Sequence, residues 1–191
     1  MKKRSGILYF LQEVSIVVIG VLIAVSIGNY KEKEDNEKYI KKTLLAIENE
    51  IQLSQTDLDS VLTRHLELYE ILGDKIGENE ETLGELISSS GGFQVAAIQN
   101  VSLRFFISNK AELLEFQLIS QLLDIELKSE SLKDKIKLLS DFAYDHVREK
   151  DDEVKIKFAY LLANVIDGEQ TLSESYSSFL EENKSYLKKY K

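Results

Sequence analysis

Two histidines are the residues with most scope for chemistry, because the chain has no cysteine and histidine is the side chain that ordinarily titrates near neutrality. His146 follows Tyr144 and Asp145 and precedes Glu149 by three residues, so on a helix the imidazole and the carboxylate share a face that could take up a cation or a proton. His65 falls instead on an apolar seven-residue series, where a packed or hydrogen-bonded ring is the simpler reading. A metal site would need further convergent ligands, and nothing in the spacing brings the two histidines together. The thirty-three carboxylates do not make a glycosidase pair or a di-metal bundle centre by number alone, since the repeated Glu-x-x-His pattern is missing. Zincin, nucleophile-elbow, dinucleotide-loop and kinase patterns are missing too, and Ser88-Ser89-Ser90-Gly91-Gly92 lacks the Gly-Lys-Ser/Thr that would cradle phosphate. No catalytic residue, metal ligand or cofactor is assigned, and an enzyme is the less favoured class.

The remaining reactive group stands in unusual company. Glu13 lies seven residues before Gly20 and eleven before Ala24, offsets that return to one helical face, and Gly28 extends the same strip. Glu13, Gly20, Ala24 and Gly28 are therefore the candidate membrane-helix packing residues. Small residues at four-residue spacing let helices approach closely in lipid, and an acid there calls for a polar partner. The plain alternative places Glu13 at headgroup level and treats the glycines as ordinary membrane composition; ion conduction is the weakest reading.

The element that carries this face is an apolar segment. Ile7 to Ile27 is long enough to cross about 30 Å of hydrocarbon as a helix, and residues 14 to 28 contain no charge. Of 24 basic and 33 acidic residues, only Lys2, Lys3, Arg4 and Glu13 lie before Asn29, leaving 21 basic and 32 acidic in the rest. An acidic remainder of this kind argues against nucleic acid as a partner, because phosphate neutralisation needs basic patches. Three readings compete for the segment: an uncleaved anchor, which we favour, a signal peptide cut after Ala24-Val25-Ser26, and a buried soluble helix.

The stretch Glu13 to Lys33, with Glu13, Val17-Val18-Ile19-Gly20-Val21-Leu22-Ile23-Ala24, Ile27, Asn29 and Tyr30, resembles the N-terminal signature of a family of uncharacterised bacterial membrane proteins common in Bacteroidetes. Gln12 stands where that family has glycine, Gly28 where it has the first exit asparagine, and Tyr30 where it has tryptophan. Thr43 to Leu62 and Phe106 to Leu113 also resemble segments of the family, but its proline-containing region is missing. The resemblance implies a single-pass topology, and it carries no activity over to this chain. It accords with a cytoplasmic N-terminus and a periplasmic main domain at the bacterial cytoplasmic membrane, although Lys31, Lys33, Lys38, Lys41 and Lys42 alone would favour the opposite orientation.

Beyond the anchor, two seven-residue series run side by side: Tyr30, Glu37, Leu44, Ile51, Leu58, His65, Leu72 and Lys33, Ile40, Ile47, Ser54, Val61, Leu68, Lys75. Ile40, Leu44, Ile47, Ile51, Leu58, Val61, Leu68 and Leu72 form a seam suited to coiled-coil or bundle packing. With no proline in the chain, the membrane helix can continue past Tyr30, with Gly28-Asn29 as the rival hinge. Gly73 and Gly77 predict its end, and a short acidic helix then reaches Leu86 or Ile87, before the loop at 88 to 92.

Residues 93 to 98 and 101 to 107 each read as a short strand or helix. Ser108 to Glu112 reads as a helix start, its buried side including Leu118, Leu122, Leu123, Ile125 and Leu127. Further helices are expected over 129 to 147, 151 to 166 with an end at Asp167-Gly168, and 172 to 190. The resulting expectation is an all-α protein: an anchor at 1–29, a long helical stalk and bundle helix at 30–72, and a distal antiparallel helical bundle at 73–191.

The expected partners are the lipid bilayer and either a second copy or another membrane protein. The expected function is a membrane-anchored structural or interaction subunit assembled through its transmembrane face and long helix. The alternative is an extracytoplasmic small-ligand sensor coupled to another membrane subunit, which an apolar cavity with converging polar groups would favour.

Overall fold

The computed structural model describes residues 4–78 and 80–189. Lys2 and Lys3, named above, and residue 190, the last of the helix expected over 172 to 190, lie outside them. The described chain is all-α: α1 (Arg4–Lys75), α2 (Leu83–Ser89), α3 (Val101–Lys110), a single 3-10 turn (Ala111–Leu113), α4 (Phe116–His146), α5 (Asp152–Glu182) and α6 (Lys184–Lys189). It divides into two compact units, residues 1–42 and 43–191.

In the first unit, α1 is helical through Gly28 and Asn29, so the helix continues past Tyr30 as expected and the rival hinge is not a break in it. Its side chains from Leu8 to Tyr30 are exposed throughout. The hydroxyls of Ser15 and Ser26 donate to the Leu11 and Leu22 carbonyls, both at 2.7 Å, and are thereby satisfied inside the helix itself. The charged stretch that follows contains a Lys38–Glu34 pair at 2.6 Å; the hydrogen bond that Lys38 donates to Glu34, then the Glu34 charge, raise the Lys38 ammonium pKa.

In the second unit, α1 continues to Lys75 and ends where Gly77 takes a positive φ of 102°, a conformation glycine adopts without strain. Its seam is buried from Leu44 through Ile47, Ile51, Leu58, Val61 and Leu68 to Leu72; Ile40, which belongs to the first unit, is buried too. Against α1, α5 runs antiparallel: Gln55 meets Ser177, Asp59 meets Ser173, His65 meets Glu169 and the Gly77 N–H meets Asp152. Between α4 and α5 the same descending register joins Gln121 to Asn183, Lys128 to Ser175 and Lys135 to Asp167. Three long helices thus enclose the core, with Phe158, Leu162, Leu172 and Phe179 of α5 and Leu122, Leu132 and Leu139 of α4 all buried in it.

Several expected boundaries are corrected. The expected helices on either side of residue 128 are one helix, α4, and the expected break at Asp167-Gly168 lies inside α5. Gly168 permits close packing there, since a Cβ would lie 3.1 Å from Leu132 Cδ1, and Asp167 pairs with Lys135. The expected helix start at Ser108–Glu112 is instead the end of α3 and the start of the 3-10 turn: Asn109 bonds back to the Phe105 carbonyl at 2.7 Å, and α4 begins only at Phe116. Leu123 and Leu127, expected inside, are exposed.

The loop begins slightly later than the signal at 88 to 92. Ser88 and Ser89 complete α2, Ser90 caps it, and Gly91 and Gly92 make the turn with positive φ. Residues 91–100 then run without regular structure, although strand or helix was expected over 93 to 98.

Candidate functional site

The irregular strap at 93–100 explains why polar residues interrupt the seam of α1. Packed backbone that forms no helix or strand still needs hydrogen-bond partners, and α1 supplies them. Asp57 accepts from the Ala97 N–H at 2.5 Å, Ser54 accepts from the Gln99 N–H at 2.8 Å, and Glu50 accepts from the Ser102 N–H at 2.9 Å just beyond. Ser54 also engages the Tyr176 hydroxyl from α5; burial pushes that phenol up to about 12, and the Ser54 hydrogen bond partly offsets the rise.

His65 belongs to the same row and is also buried, 1% exposed. Its Nε2 lies 2.9 Å from the Gln94 carbonyl oxygen, while Nδ1 lies 3.0 Å from Glu169 Oε2 and 2.9 Å from Oε1. Glu169 is fully buried, and the Phe93 ring stacks on the imidazole with centroids 4.9 Å apart. Three elements meet at this ring: α1, α5 and the strap. Sequence spacing located His65 on the seam but did not reveal Glu169, because their contact spans 104 positions.

The second histidine is more exposed. His146 Nδ1 lies 2.9 Å from Glu149 Oε1, as the three-residue spacing suggested, and its ring packs against Phe142 with centroids 4.3 Å apart. Among the described residues no group of three or more His, Cys, Asp or Glu side chains is arranged to hold a metal ion.

Two clefts open on the surface of the bundle. One of about 270 Å³ lies between α4 and α5, lined by Gln121, Asp124, Lys128, Thr171 and Ser175 together with Ile125 and Phe179. The other, about 310 Å³, is lined by Glu48, Gln52, Lys184, Leu187 and Lys188 among others. Both open to solvent and present mixed charges and amides, unlike the apolar pocket that a small-ligand sensor calls for.

On α1, Glu13, Gly20, Ala24 and Gly28 are all exposed, and an added Cβ at Gly20 or Gly28 would meet nothing within 4 Å. Among the described residues, none covers the part of α1 from Leu8 to Tyr30. Leu8, Ile16, Val17, Leu22 and Ile27 each keep 60–67% of their surface accessible. It is the one helix among those described that is long and apolar enough to cross a membrane, with a window of mean hydropathy 2.3 and no buried residue. Compared with protein-family models, curated proteins and solved structures, the chain matches none.

Proposed function

We propose that this chain is a single-pass membrane-anchored interaction subunit, held in the bilayer by the apolar part of α1 and presenting residues 43–191 as a helical docking module. The observation that carries the proposal is the uncovered apolar surface from Leu8 to Tyr30. Removing those fifteen large apolar side chains from water is worth on the order of 20 kcal/mol, taking about 1.5 kcal/mol for each. That exceeds the roughly 5–15 kcal/mol by which a whole domain is ordinarily stable, so hydrocarbon or other helices must cover the segment. The internally bonded Ser15 and Ser26 hydroxyls suit hydrocarbon, where water cannot satisfy them.

Assembly is assigned to the face of Glu13, Gly20, Ala24 and Gly28, with a second copy or another membrane protein as partner. The seam from Leu44 to Leu72 is already buried among the chain's own helices, so it serves the fold and leaves recruitment to the bundle's outer surface. The orientation proposed is N-terminus in the cytoplasm and bundle in the periplasm, at the bacterial cytoplasmic membrane.

The test is membrane fractionation followed by crosslinking of the full chain. It should remain in the membrane pellet after alkaline carbonate washing, and Gly20→Leu with Ala24→Leu should abolish crosslinked species while leaving insertion intact. Recovery of the uncleaved chain as a soluble monomer would overturn the anchor; unchanged crosslinking in the double variant would overturn the packing face.

A further inference from the structure

The hydrogen-bond geometry around His65 fixes a proton count. A carbonyl oxygen only accepts, so the 2.9 Å approach of Nε2 to the Gln94 oxygen requires a hydrogen on Nε2. In a neutral imidazole that leaves Nδ1 with a lone pair, directed at the Glu169 carboxyl about 3 Å away. An ionised carboxylate also only accepts, and two acceptors facing each other in a buried site repel. The contact becomes favourable when one further proton is present, either on Nδ1, making an imidazolium–carboxylate pair, or on Glu169, which then donates to Nδ1. The two placements are microstates of one pair with the same total.

We propose that His65 and Glu169 share a retained proton that latches the start of the strap, residues 93–96, onto α1 and α5, so that attachment of the strap depends on protonation. The surroundings leave this pair isolated. The strap from Phe93 to Asn100 contains no titratable side chain, and among the described residues neither member makes another ion pair. On α4 the nearby cation, Lys135, reaches Asp167 instead. Along α1, Arg64 is exposed beside His65, and Leu68 and Val61 are apolar neighbours on its face.

Loss of the shared proton leaves an acceptor facing an acceptor at Gln94 or at Glu169, whichever tautomer the ring adopts. Either arrangement weakens the bridge between α1, α5 and the strap. Gly91 and Gly92, both at positive φ, adjoin the freed end, while Asp57 and Ser54 retain the other end through Ala97 and Gln99. The segment then peels from its glycine side, uncovering the His65 ring on which Phe93 stacks. This device lies wholly within residues 43–191 and stands independently of the membrane proposal.

The test is nitrogen and carboxyl-carbon NMR of the full chain in lipid nanodiscs, labelled at histidine and glutamate, at about pH 8, where ordinary histidine, with its pKa near 6.5, is neutral. The expected result is either both His65 nitrogens protonated or Nε2 protonated opposite a protonated Glu169. A neutral ring beside an ionised Glu169 would overturn the proposal. Protection of the Phe93 peptide bond from chymotrypsin, which needs the strap end free of the His65 ring, supplies the second readout. Raising the pH until the pair loses its proton should reduce protection about tenfold or more, the scale of one charge-assisted hydrogen bond. In Glu169→Gln the carboxamide N–H donates to a neutral imidazole, so the strap should stay protected over the same pH range. Equal loss in both proteins, or no loss in the wild type, would also overturn it.

Discussion

Gly84 donates its backbone N–H to the Val147 carbonyl at 2.8 Å, and a Cβ built on Gly84 would lie only 2.6 Å from Val147 Cγ2 and 2.8 Å from that same carbonyl oxygen. The first turn of α2 therefore rests directly on the connection between α4 and α5. Leu83 reinforces the docking by donating to the Glu149 carbonyl at 2.9 Å. Two of the unpaired N–H groups that begin any helix are thus satisfied by a turn remote in sequence. Gly84→Ala should gain about 1 kcal/mol of helix propensity but force apart packed backbone, with a net loss of about 1–3 kcal/mol. Urea unfolding of the purified chain measures this, and an unchanged midpoint would show that α2 can shift without loss.

Thr82 and Glu85 close the same helix from below in a reciprocal cap. Thr82 Oγ1 accepts from the Glu85 N–H at 3.2 Å, and Glu85 Oε2 accepts from the Thr82 N–H at 2.7 Å. The Thr82 backbone bond, then its hydroxyl bond, hold the Glu85 carboxyl below its ordinary range. A carboxyl with a depressed folded-state value stabilises above its unfolded value and loses that contribution as pH falls through the folded one. The α2 amides should accordingly become less protected under acid in the wild type. Glu85→Gln should lose that acid dependence, as read by amide exchange over residues 83–89.

Tyr176 is buried with its hydroxyl on Ser54, and its phenol is pushed up to about 12 by burial. Its raised value reverses the direction. Its stabilising contribution is complete below about pH 10, the ordinary tyrosine value, and falls by about 1.4 kcal/mol per pH unit as the pH rises toward the folded value. Tyr176→Phe should flatten that alkaline decline, while losing about 1 kcal/mol at neutral pH with the hydrogen bond. Thermal denaturation of both proteins at a series of alkaline pH values distinguishes the two effects.

Ser129 lies fully buried on α4, and its hydroxyl has no partner among the described residues. An unpaired buried hydroxyl opposes folding, whereas a methyl group fits the same space. Ser129→Ala should raise stability by about 1 kcal/mol in chemical denaturation. A clear loss would show that the hydroxyl is satisfied in solution.

Periodicity made the long helix legible. The spacing of Leu44, Ile47, Ile51, Leu58, Val61, Leu68 and Leu72 identifies the buried side of α1, and Gly73 and Gly77 bracket its end. The Thr82-x-x-Glu85 cap was also present as a readable pattern, though an acidic run around it obscured the helix start. Local signals misled where packing gave them a different use. Asp167-Gly168 resembles a helix end, yet the missing side chain of Gly168 accommodates α4. Ser108 and Asn109 resemble a cap, but Asn109 turns back to bond within α3.

The apolar stretch before Tyr30 and the direction of the α1 seam follow from residue order alone, because hydropathy and helical spacing are local properties. What joins His65 to Glu169 and Gln94, or Ser54 to Gln99 and Tyr176, is the antiparallel meeting of α1 with α5 and the passage of an irregular strap beside them. Those pairs depend on helix register across long sequence separations, which no local pattern encodes. Burial then gives polar groups on the seam their consequence, since away from water each needs a partner that only the folded chain can bring.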